Sequence, residues 1–396
     1  MTSNPNILLV PAWYPASFFT EQMKLVEDSF NFKILKGYRN VYGKKKWLNK
    51  KLKGKSKSFI SKTHDDYLEI EFDYINNLPP FFFKKQEKYL DDCFNRIINT
   101  FFDGSKPDLI HIQSLSDTAY YVNRWAKANN VPVILTEHIL FVRHQTDHFQ
   151  RLKEKVYETA DRVLLVSNYL YRNLLTNGIK PGNVEIIGNL VRDEYISLPL
   201  KQNKLNKELR ILFVATHLFD KDIDVLFEAL EILLNKGFGP FHVDIIGLEP
   251  TKIYLDDESN ECNLQEIINQ KGLSSKVSLL GEMERKEMLN AYQDYSFLVS
   301  SSKSETFGLA VAEAIANGLP VVCTDSGGIR DFVNESNGIV VPIRNPKALA
   351  AAIMRMFETM SNYNREQIST EIRKRYGIKA FTESIKSEYR NAIYDT

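Results

Sequence analysis

Glu305 and Glu313 stand eight residues apart in a segment that turns abruptly from polar to apolar: Ser302-Lys303-Ser304-Glu305-Thr306-Phe307-Gly308-Leu309, then on through Glu313 to Gly318-Leu319-Pro320-Val321-Val322. The run Leu309, Ala310, Val311, Ala312, Ala314, Ile315 and Ala316 describes a buried helix, in which a carboxylate needs a reason. A helix beginning near Thr306 offers unpaired N–H groups and a positive dipole end, which hold phosphate without a metal. At about 1.5 Å per residue, eight residues span roughly 12 Å, the reach from a hexose across a diphosphate to a ribose. The chemistry expected is therefore the grip of a sugar diphosphate, one acid at each end. Two glutamates at this spacing would ordinarily mark a solvated face; the apolar surroundings argue against that reading.

Leaving-group charge must be neutralised when a sugar–diphosphate bond breaks, and without a metal this falls to cationic side chains and backbone donors. Lys221, in Phe219-Asp220-Lys221-Asp222, occupies a loop between a strand and a helix, where ligands of open parallel sheets bind. Charge-assisted hydrogen bonds of this kind contribute about 1.5–3 kcal/mol each. Asp222-Ile223-Asp224 has the letters of a metal-binding acidic pair, yet it falls at a helix start, where acids satisfy the dipole; Asp256-Asp257 falls in a polar loop. No metal and no cofactor other than the donor substrate is expected.

These loops need a scaffold. From Leu209 onward short apolar runs alternate with amphipathic segments of helical length, the pattern of a parallel sheet covered on both faces. The spacing predicts strands at 211–216, 242–246, 277–280, 297–300, 321–324 and 339–341, and helices at 223–234, 263–269, 285–291, 307–316 and 346–357. The first half repeats the rhythm less regularly, with strands at 7–10, 32–35, 109–112, 133–136, 163–166 and 184–187 and a Lys- and aromatic-rich insertion over 38–92. The expected organisation is α/β: a Rossmann-like amino-terminal domain over 1–202, a second over 203–377, and a last helix over 378–396 that crosses back to the first. The polar stretch 203–208 after Pro199 is the expected linker.

Composition permits this. A chain of 396 residues with 43% hydrophobic content can bury two cores. The formal charge of +1 gives no global steering toward nucleic acid, which is not expected as a partner. Cys93, Cys262 and Cys323 are scattered, with no C-x-x-C spacing, which points to reduced thiols in the cytoplasm. The amino terminus opens into a strand at 6–10, and there is no run of about eighteen apolar residues, so neither secretion nor a membrane span is expected.

The run E-x-F-G-L followed by E-A-I-A-x-G-x-P-V-V resembles the donor-site signature of the family 4 glycosyltransferases. Further local matches stand in that family's order. They are Trp13-Tyr14-Pro15 with Phe18, Glu21 and Gln22; Pro107-Asp108-Leu109-Ile110-His111; Thr136-Glu137-His138; Val166-Ser167; Ile187-Gly188-Asn189; Phe213-Val214-Ala215 with Lys221; Gly327-Gly328-Ile329; and Gly338-Ile339-Val340-Val341-Pro342. The resemblance covers most of the chain and is stronger in the second half. It implies the GT-B architecture, two Rossmann-like domains facing across a cleft, and a retaining, metal-independent transferase acting on a nucleotide-sugar.

By that resemblance Glu305 holds donor hydroxyls, Glu313 the ribose, and the N–H groups around Thr306, Phe307, Gly308 and Leu309 the phosphates, with Lys221 closing on the diphosphate. His138 corresponds to a histidine that faces the donor sugar from the first domain; Glu137 beside it is an alternative contributor that reads more readily as structural. The family carries an arginine five residues before the lysine; here Thr216 stands there, with His217 next, and Arg330 is another source of charge. Glycine is also expected at Ala215 and Asp222, which implies a less permissive loop backbone. On the acceptor side Trp13, Tyr14 and Ser17 are candidates.

The insertion contains Lys44, Lys45, Lys46, Trp47, Lys50, Lys51, Lys53, Lys55 and Lys57, then Pro79-Pro80-Phe81-Phe82-Phe83-Lys84-Lys85. Basic residues beside aromatics suit an anionic membrane surface, each lysine adding roughly 1 kcal/mol, and so a glycan or lipid-linked acceptor. The bland alternative is a solvated loop with core phenylalanines. Competing functions are a sugar-nucleotide epimerase or hydrolase of the same fold, and a noncatalytic glycan-binding protein. An NAD oxidoreductase is weakened because no G-x-G-x-x-G follows a strand.

Overall fold

The computed structural model describes residues 4–12, 17–42, 59–65, 67–75, 80–141, 148–193, 200, 208–215, 220–248, 253–254 and 261–394. The chain divides into two compact units, one formed by Met1–Ile187 with Thr382–Thr396, the other by Gly188–Phe381. Of the expected linker at 203–208, residues 203–207 lie outside the described residues.

The amino-terminal unit is built on a sheet of β1 (Asn6–Pro11), β2 (Asn31–Tyr42), β3 (Phe59–Thr63), β4 (Leu68–Ile75), β5 (Leu109–Gln113), β6 (Val133–Glu137), β7 (Arg162–Leu165) and β8 (Val184–Ile186). Their order is β3-β4-β2-β1-β5-β6-β7-β8. β3 runs antiparallel to β4, and the other pairings are parallel. β1, β5 and β6 are buried at nearly every position, the signature of strands covered on both faces. The expected strands of this half are all present, but the insertion does not interrupt the sheet as its composition suggests. β2 runs on to Tyr42, β3 and β4 extend the sheet edge, and a helix occupies Pro80–Phe101. Lys44, Lys45, Lys46, Trp47, Lys50, Lys51, Lys53, Lys55 and Lys57 lie outside the described residues.

In chain order the helices of this unit are α1 (Ser17–Lys24), α2 (Pro80–Phe101), α3 (Asp117–Asn129), α4 (His148–Thr159) and α5 (Asn168–Thr176). The Ser116 and Ser167 hydroxyls cap α3 and α5, accepting from the N–H groups of Ala119 and Leu170. Ser167, one of the family-like matches, is thus a helix cap.

The carboxy-terminal unit holds β9 (Leu209–Val214), β10 (Phe241–Ile246), a two-stranded ribbon of β11 (Ile253–Tyr254) and β12 (Glu261–Cys262), β13 (Val277–Leu279), β14 (Phe297–Ser300), β15 (Val321–Thr324) and β16 (Gly338–Val341). Its main sheet is fully parallel in the order β13-β10-β9-β14-β15-β16. Numbered from β9 this is 3-2-1-4-5-6, the doubly wound order, whose direction reverses between β9 and β14. The helices are α6 (Ile223–Asn235), α7 (Leu264–Gln270), α8 (Arg285–Ala291), α9 (Leu309–Ala316), α10 (Pro346–Thr359), α11 (Arg365–Tyr376) and α12 (Ile378–Tyr394).

Leu226, Leu230 and Leu233 recur along α6, and Leu349, Ile353 and Met356 along α10. Both stripes join one buried cluster with Ile211, Phe213, Val243, Ile245, Phe297 and Val299 of the strands. The 3.6-residue and two-residue apolar periods therefore meet on one face of the sheet.

α11 goes beyond the helices that the apolar pattern predicts, because its sequence is strongly polar and its apolar residues are few. It is held by specific contacts. Buried Arg365 donates to the carbonyl oxygens of Gly318 at 3.0 Å and Tyr295 at 3.3 Å, and Ser369 donates to that of Ala316. The bonds to Ala316 and Gly318 satisfy carbonyls at and just past the end of α9 that no helical partner can reach, and the one to Tyr295 ties α11 to the segment before β14. α12 runs over Ile378–Tyr394, and its residues from Thr382 belong to the amino-terminal unit. There Tyr389 meets His111 at 2.7 Å and packs edge-on against Phe30, and Glu388 pairs with Arg162.

Candidate functional site

The reversal point of the carboxy-terminal sheet brings two loops together. After β9 come Asp220 and Lys221; after β14 come Ser301, Ser302 and Glu305. The loops are stitched by main-chain contacts: Lys303 N–H donates to Asp220 O at 2.9 Å, and Ser301 Oγ donates to Lys221 O at 2.7 Å. Across this seam Lys221 Nζ lies 2.6 Å from Glu305 Oε1, with the two side chains only 15% and 17% exposed. Ser302 Oγ donates to the same Glu305 oxygen at 2.8 Å. Buried Thr324 in turn donates to Ser302 O at 2.5 Å, fixing the turn. In the sequence this support shows as the Ser301-Ser302 pair directly after the strand β14.

Glu305 is not helical. It forms an isolated parallel bridge with Gly327: its N–H donates to Ser326 O at 2.8 Å, and its carbonyl accepts from Gly328 N–H at 2.8 Å. α9 starts at Leu309, not near Thr306, because Gly308 takes a left-handed φ of +93° that breaks the helical path. The helical estimate of the Glu305–Glu313 separation therefore does not apply, since only residues from Leu309 onward rise at the helical increment. What survives is the helix end. Ala312 N–H is the group that bonds back to Gly308 O, at 3.0 Å, so the N–H groups of Leu309, Ala310 and Val311 precede the helical ladder.

Two glycines make this turn possible. A Cβ on Gly308 would lie 2.4 Å from Ile329 Cγ2, and one on Gly328 would lie 2.1 Å from Thr306 O. Phe307 is buried against Phe332 at 5.1 Å and Tyr376 at 5.2 Å, so its ring anchors the turn and only its main chain can serve a ligand. Glu313, half-buried on α9, faces the hydroxyl of fully buried Tyr292 at 3.4 Å.

Asp222 stands where the family-like pattern has glycine, yet it holds the left-handed conformation itself, at φ +50°, as the residue before α6. The loop keeps the glycine-like path, and aspartate is among the side chains that tolerate it. Arg330 is committed elsewhere, in a two-pronged pair with Asp325 at 2.9 and 2.8 Å. Burial pushes the Cys323 thiol upward, which keeps it protonated and poorly nucleophilic beside Thr324.

In the amino-terminal unit His138 follows β6, and its Nε2 lies 2.8 Å from Gln113 Oε1. Glu137 is 2% exposed and accepts from the N–H groups of Leu115, His138 and Ile139 and from Tyr157 Oη at 2.7 Å. It is a main-chain clamp, as expected of a structural acid. Trp13, Tyr14, Thr216 and His217 lie outside the described residues, and Ser17 is the first residue of α1. Among the described residues no group of three or more His, Cys, Asp or Glu side chains is arranged to hold a metal ion, and no helix is long and apolar enough to cross a membrane.

Residues 198–375 match the family described as glycosyl transferases group 1, and residues 59–195 match that described as glycosyltransferase family 4. A glycosyltransferase of Methanocaldococcus jannaschii is 29% identical over 184 residues, 46% of this chain and 44% of that protein. The amylovoran biosynthesis glycosyltransferase of Erwinia amylovora is 24% identical over 215 residues, 54% of this chain and 52% of the relative. The sulfoquinovosyl transferase of Arabidopsis thaliana is 23% identical over 315 residues, 73% of this chain and 58% of the relative. The chain thus spans about half the length of these curated relatives. Among solved structures, a glycosyltransferase from Rickettsia africae superposes with a TM-score of 0.71 at 20% identity, covering 100% of both chains. Anabaena HepE in complex with UDP gives 0.66 at 14% identity, covering 97% of this chain and 99% of HepE. These likenesses carry the fold: two Rossmann-like units.

Proposed function

Since the chain belongs to glycosyltransferase family 4, in the group 1 glycosyl transferases, we propose that it moves a hexosyl-type sugar from a nucleoside diphosphate donor to a glycan or lipid-linked acceptor, with retention and without a metal. The observation that carries this reading is the Lys221–Glu305 pair beside the amino end of α9, at the reversal point of a doubly wound sheet. Such a point is where open α/β sheets bind nucleotides.

In this reading Glu305 takes up sugar hydroxyls, the N–H groups of Phe307, Gly308 and Leu309 and the Lys221 ammonium receive the diphosphate, and Glu313 binds the ribose. Thr216 and His217 add donors from the loop after β9. The anomeric C–O bond to the β-phosphate breaks as negative charge gathers on the leaving diphosphate, where an ammonium and oriented N–H groups stabilise it. The acceptor hydroxyl forms the new C–O bond on the same face and passes its proton to the departing phosphate oxygen. His138 contacts the donor sugar from the amino-terminal unit, and Trp13, Tyr14 and Ser17 serve the acceptor.

We place the enzyme in the cytoplasm, at the inner face of an anionic membrane, in surface polysaccharide or glycoconjugate assembly. At the start of α2, Phe81 and Phe82 are 68% and 57% exposed and pack edge to face, with Lys84, Lys85 and Lys88 exposed beside them. They are not the core phenylalanines that the bland reading required. The test of the donor site is thermal unfolding in EDTA with UDP, GDP and ADP, followed by hydrolysis of a panel of nucleotide-sugars and NMR assignment of the product anomer. Failure of all three nucleotides to raise Tm would sink the proposal.

A further inference from the structure

Phe307 gives only its main chain to the proposed donor site, and its buried ring is the handle by which that main chain is held. Phe332 lies 5.1 Å from the ring, and Tyr376 meets it edge-on at 5.2 Å with the planes 83° apart. Gly188 closes the group: a Cβ there would lie 2.3 Å from the Tyr376 ring and 3.3 Å from Phe307 Cε2, so both rings rest against bare backbone. The Phe307 main chain is backed by Gly328, where a Cβ would fall 2.7 Å from Phe307 Cα.

Tyr376 is the last residue of α11, is buried, and is itself pinned. Its carbonyl accepts from Val191 N–H at 2.8 Å. The Arg375 guanidinium lies 4.8 Å from its ring centre and donates to Asp331 O at 2.8 Å, next to Phe332. One helical turn earlier Arg373 pairs with Asp193 Oδ2 at 3.0 Å, and Asp193 Oδ1 accepts from Ile378 N–H at 3.1 Å. The ring thus stands at a corner made by the segment that opens this unit at Gly188 and the junction of α11 with α12.

We propose that Tyr376 is a positioning residue for the donor: packed on the Phe307 ring, it aims the N–H groups of Phe307, Gly308 and Leu309 at the diphosphate. This role presupposes the donor site proposed above. A close-packed core leaves no slack, so removing one ring lets its neighbour move into the space. With Gly328 against its Cα, Phe307 follows only by tilting the turn, and hydrogen bonds to phosphate weaken steeply as they bend. Phenylalanine at position 376 keeps the supporting ring and the aim; leucine keeps neither.

The experiment uses the full chain as wild type, Tyr376→Phe and Tyr376→Leu, with Tyr376→Met in place of the leucine variant should that one not fold. Hydrogen-exchange mass spectrometry follows the Glu305 and Ala312 amides, which bond Ser326 O and Gly308 O on either side of the turn, with the Ala215 amide, bonded to Ile246 O, as control. In Tyr376→Leu the first two should exchange about 10-fold faster while Ala215 keeps its wild-type rate. Titration with UDP, GDP and ADP and with their parent nucleosides should show the diphosphate Kd raised about 10-fold and the nucleoside Kd little changed. Tyr376→Phe should match wild type in both measurements. Wild-type exchange at Glu305 and Ala312 in the leucine variant overturns the role, as does unchanged diphosphate affinity. Faster exchange that reaches Ala215, with nucleoside and diphosphate weakened alike, also overturns it, because that is a general loss of stability. If none of the three diphosphates binds wild type, the donor site itself falls, and the exchange rates still decide whether Tyr376 holds the turn.

Discussion

Lys221 and Glu305 come from loops after two adjacent strands of one sheet, and their charged atoms meet at 2.6 Å under a shared roof of serine hydroxyls. An ammonium and a carboxylate held this close, and mostly buried, define a point where a phosphate and a sugar hydroxyl could both be satisfied.

Lys221→Ala should abolish the rise in Tm produced by nucleoside diphosphate in EDTA. At a ligand concentration of 100 Kd the lost stabilisation is about 2.7 kcal/mol. Differential scanning fluorimetry checks this, and a full shift in the variant would remove the lysine from the diphosphate site.

Glu305→Gln keeps an oxygen for the Ser302 hydroxyl and should fold normally, while turnover falls about 100-fold or more. Circular dichroism and a coupled assay for released nucleotide separate the two effects. Wild-type kcat in this variant would end the case for the glutamate.

Gly328→Ala sets a methyl group 2.1 Å from the Thr306 carbonyl oxygen, inside the turn that carries Glu305. The backbone there must move, at a cost of about 1–3 kcal/mol, and donor binding should weaken with it. Urea unfolding and nucleotide titration should change together; binding unchanged alongside reduced stability would uncouple the turn from the site.

Flotation with liposomes rich in anionic lipid should be lost when Phe81 and Phe82 become serine and reduced when Lys84 and Lys85 become alanine, each lysine contributing about 1 kcal/mol near such a surface. Unchanged flotation in the fourfold variant would place any membrane contact elsewhere.

His111 is fully buried, and burial first, then the neighbouring His138 ring, drive its pKa from 6.5 down to about 3. Below the unfolded value of about 6.5 the unfolded chain takes up a proton that the folded chain refuses until near pH 3. The contribution is therefore complete above pH 6.5 and is lost as pH falls, by at most about 1.4 kcal/mol per pH unit. His111→Gln, which can still bond Tyr389 and Thr136, should flatten the fall in Tm between pH 6.5 and 5; an unchanged slope assigns the effect to other groups.

The parallel sheets and the loops that carry Lys221 and Glu305 are legible because buried strands and amphipathic helices leave periods in the sequence, and these residues fall just after the strands so marked. Three things are not legible. β3 and β4 are hidden because they lie inside the lysine- and aromatic-rich insertion, whose composition masks the strand-like alternation of Leu68-Glu69-Ile70-Glu71-Phe72-Asp73. α11 is hidden because its buried stripe is only Ile368, Ile372 and Tyr376, on a face shared with Arg365 and Ser369, whose polar contacts leave no apolar signal. The start of α9 falls later than the pattern suggests, since that pattern continues smoothly through a glycine whose positive φ only the fold requires.

Because Tyr389, the hydroxyl partner of His111, follows it by 278 residues, the core of the first half stays unfinished during synthesis until that residue has been made. The second half, contiguous from Gly188 to Phe381, is fully translated before that residue emerges. Assembly on the ribosome should therefore run against the order of translation, the later-made half closing first and the earlier one being locked afterwards by α12.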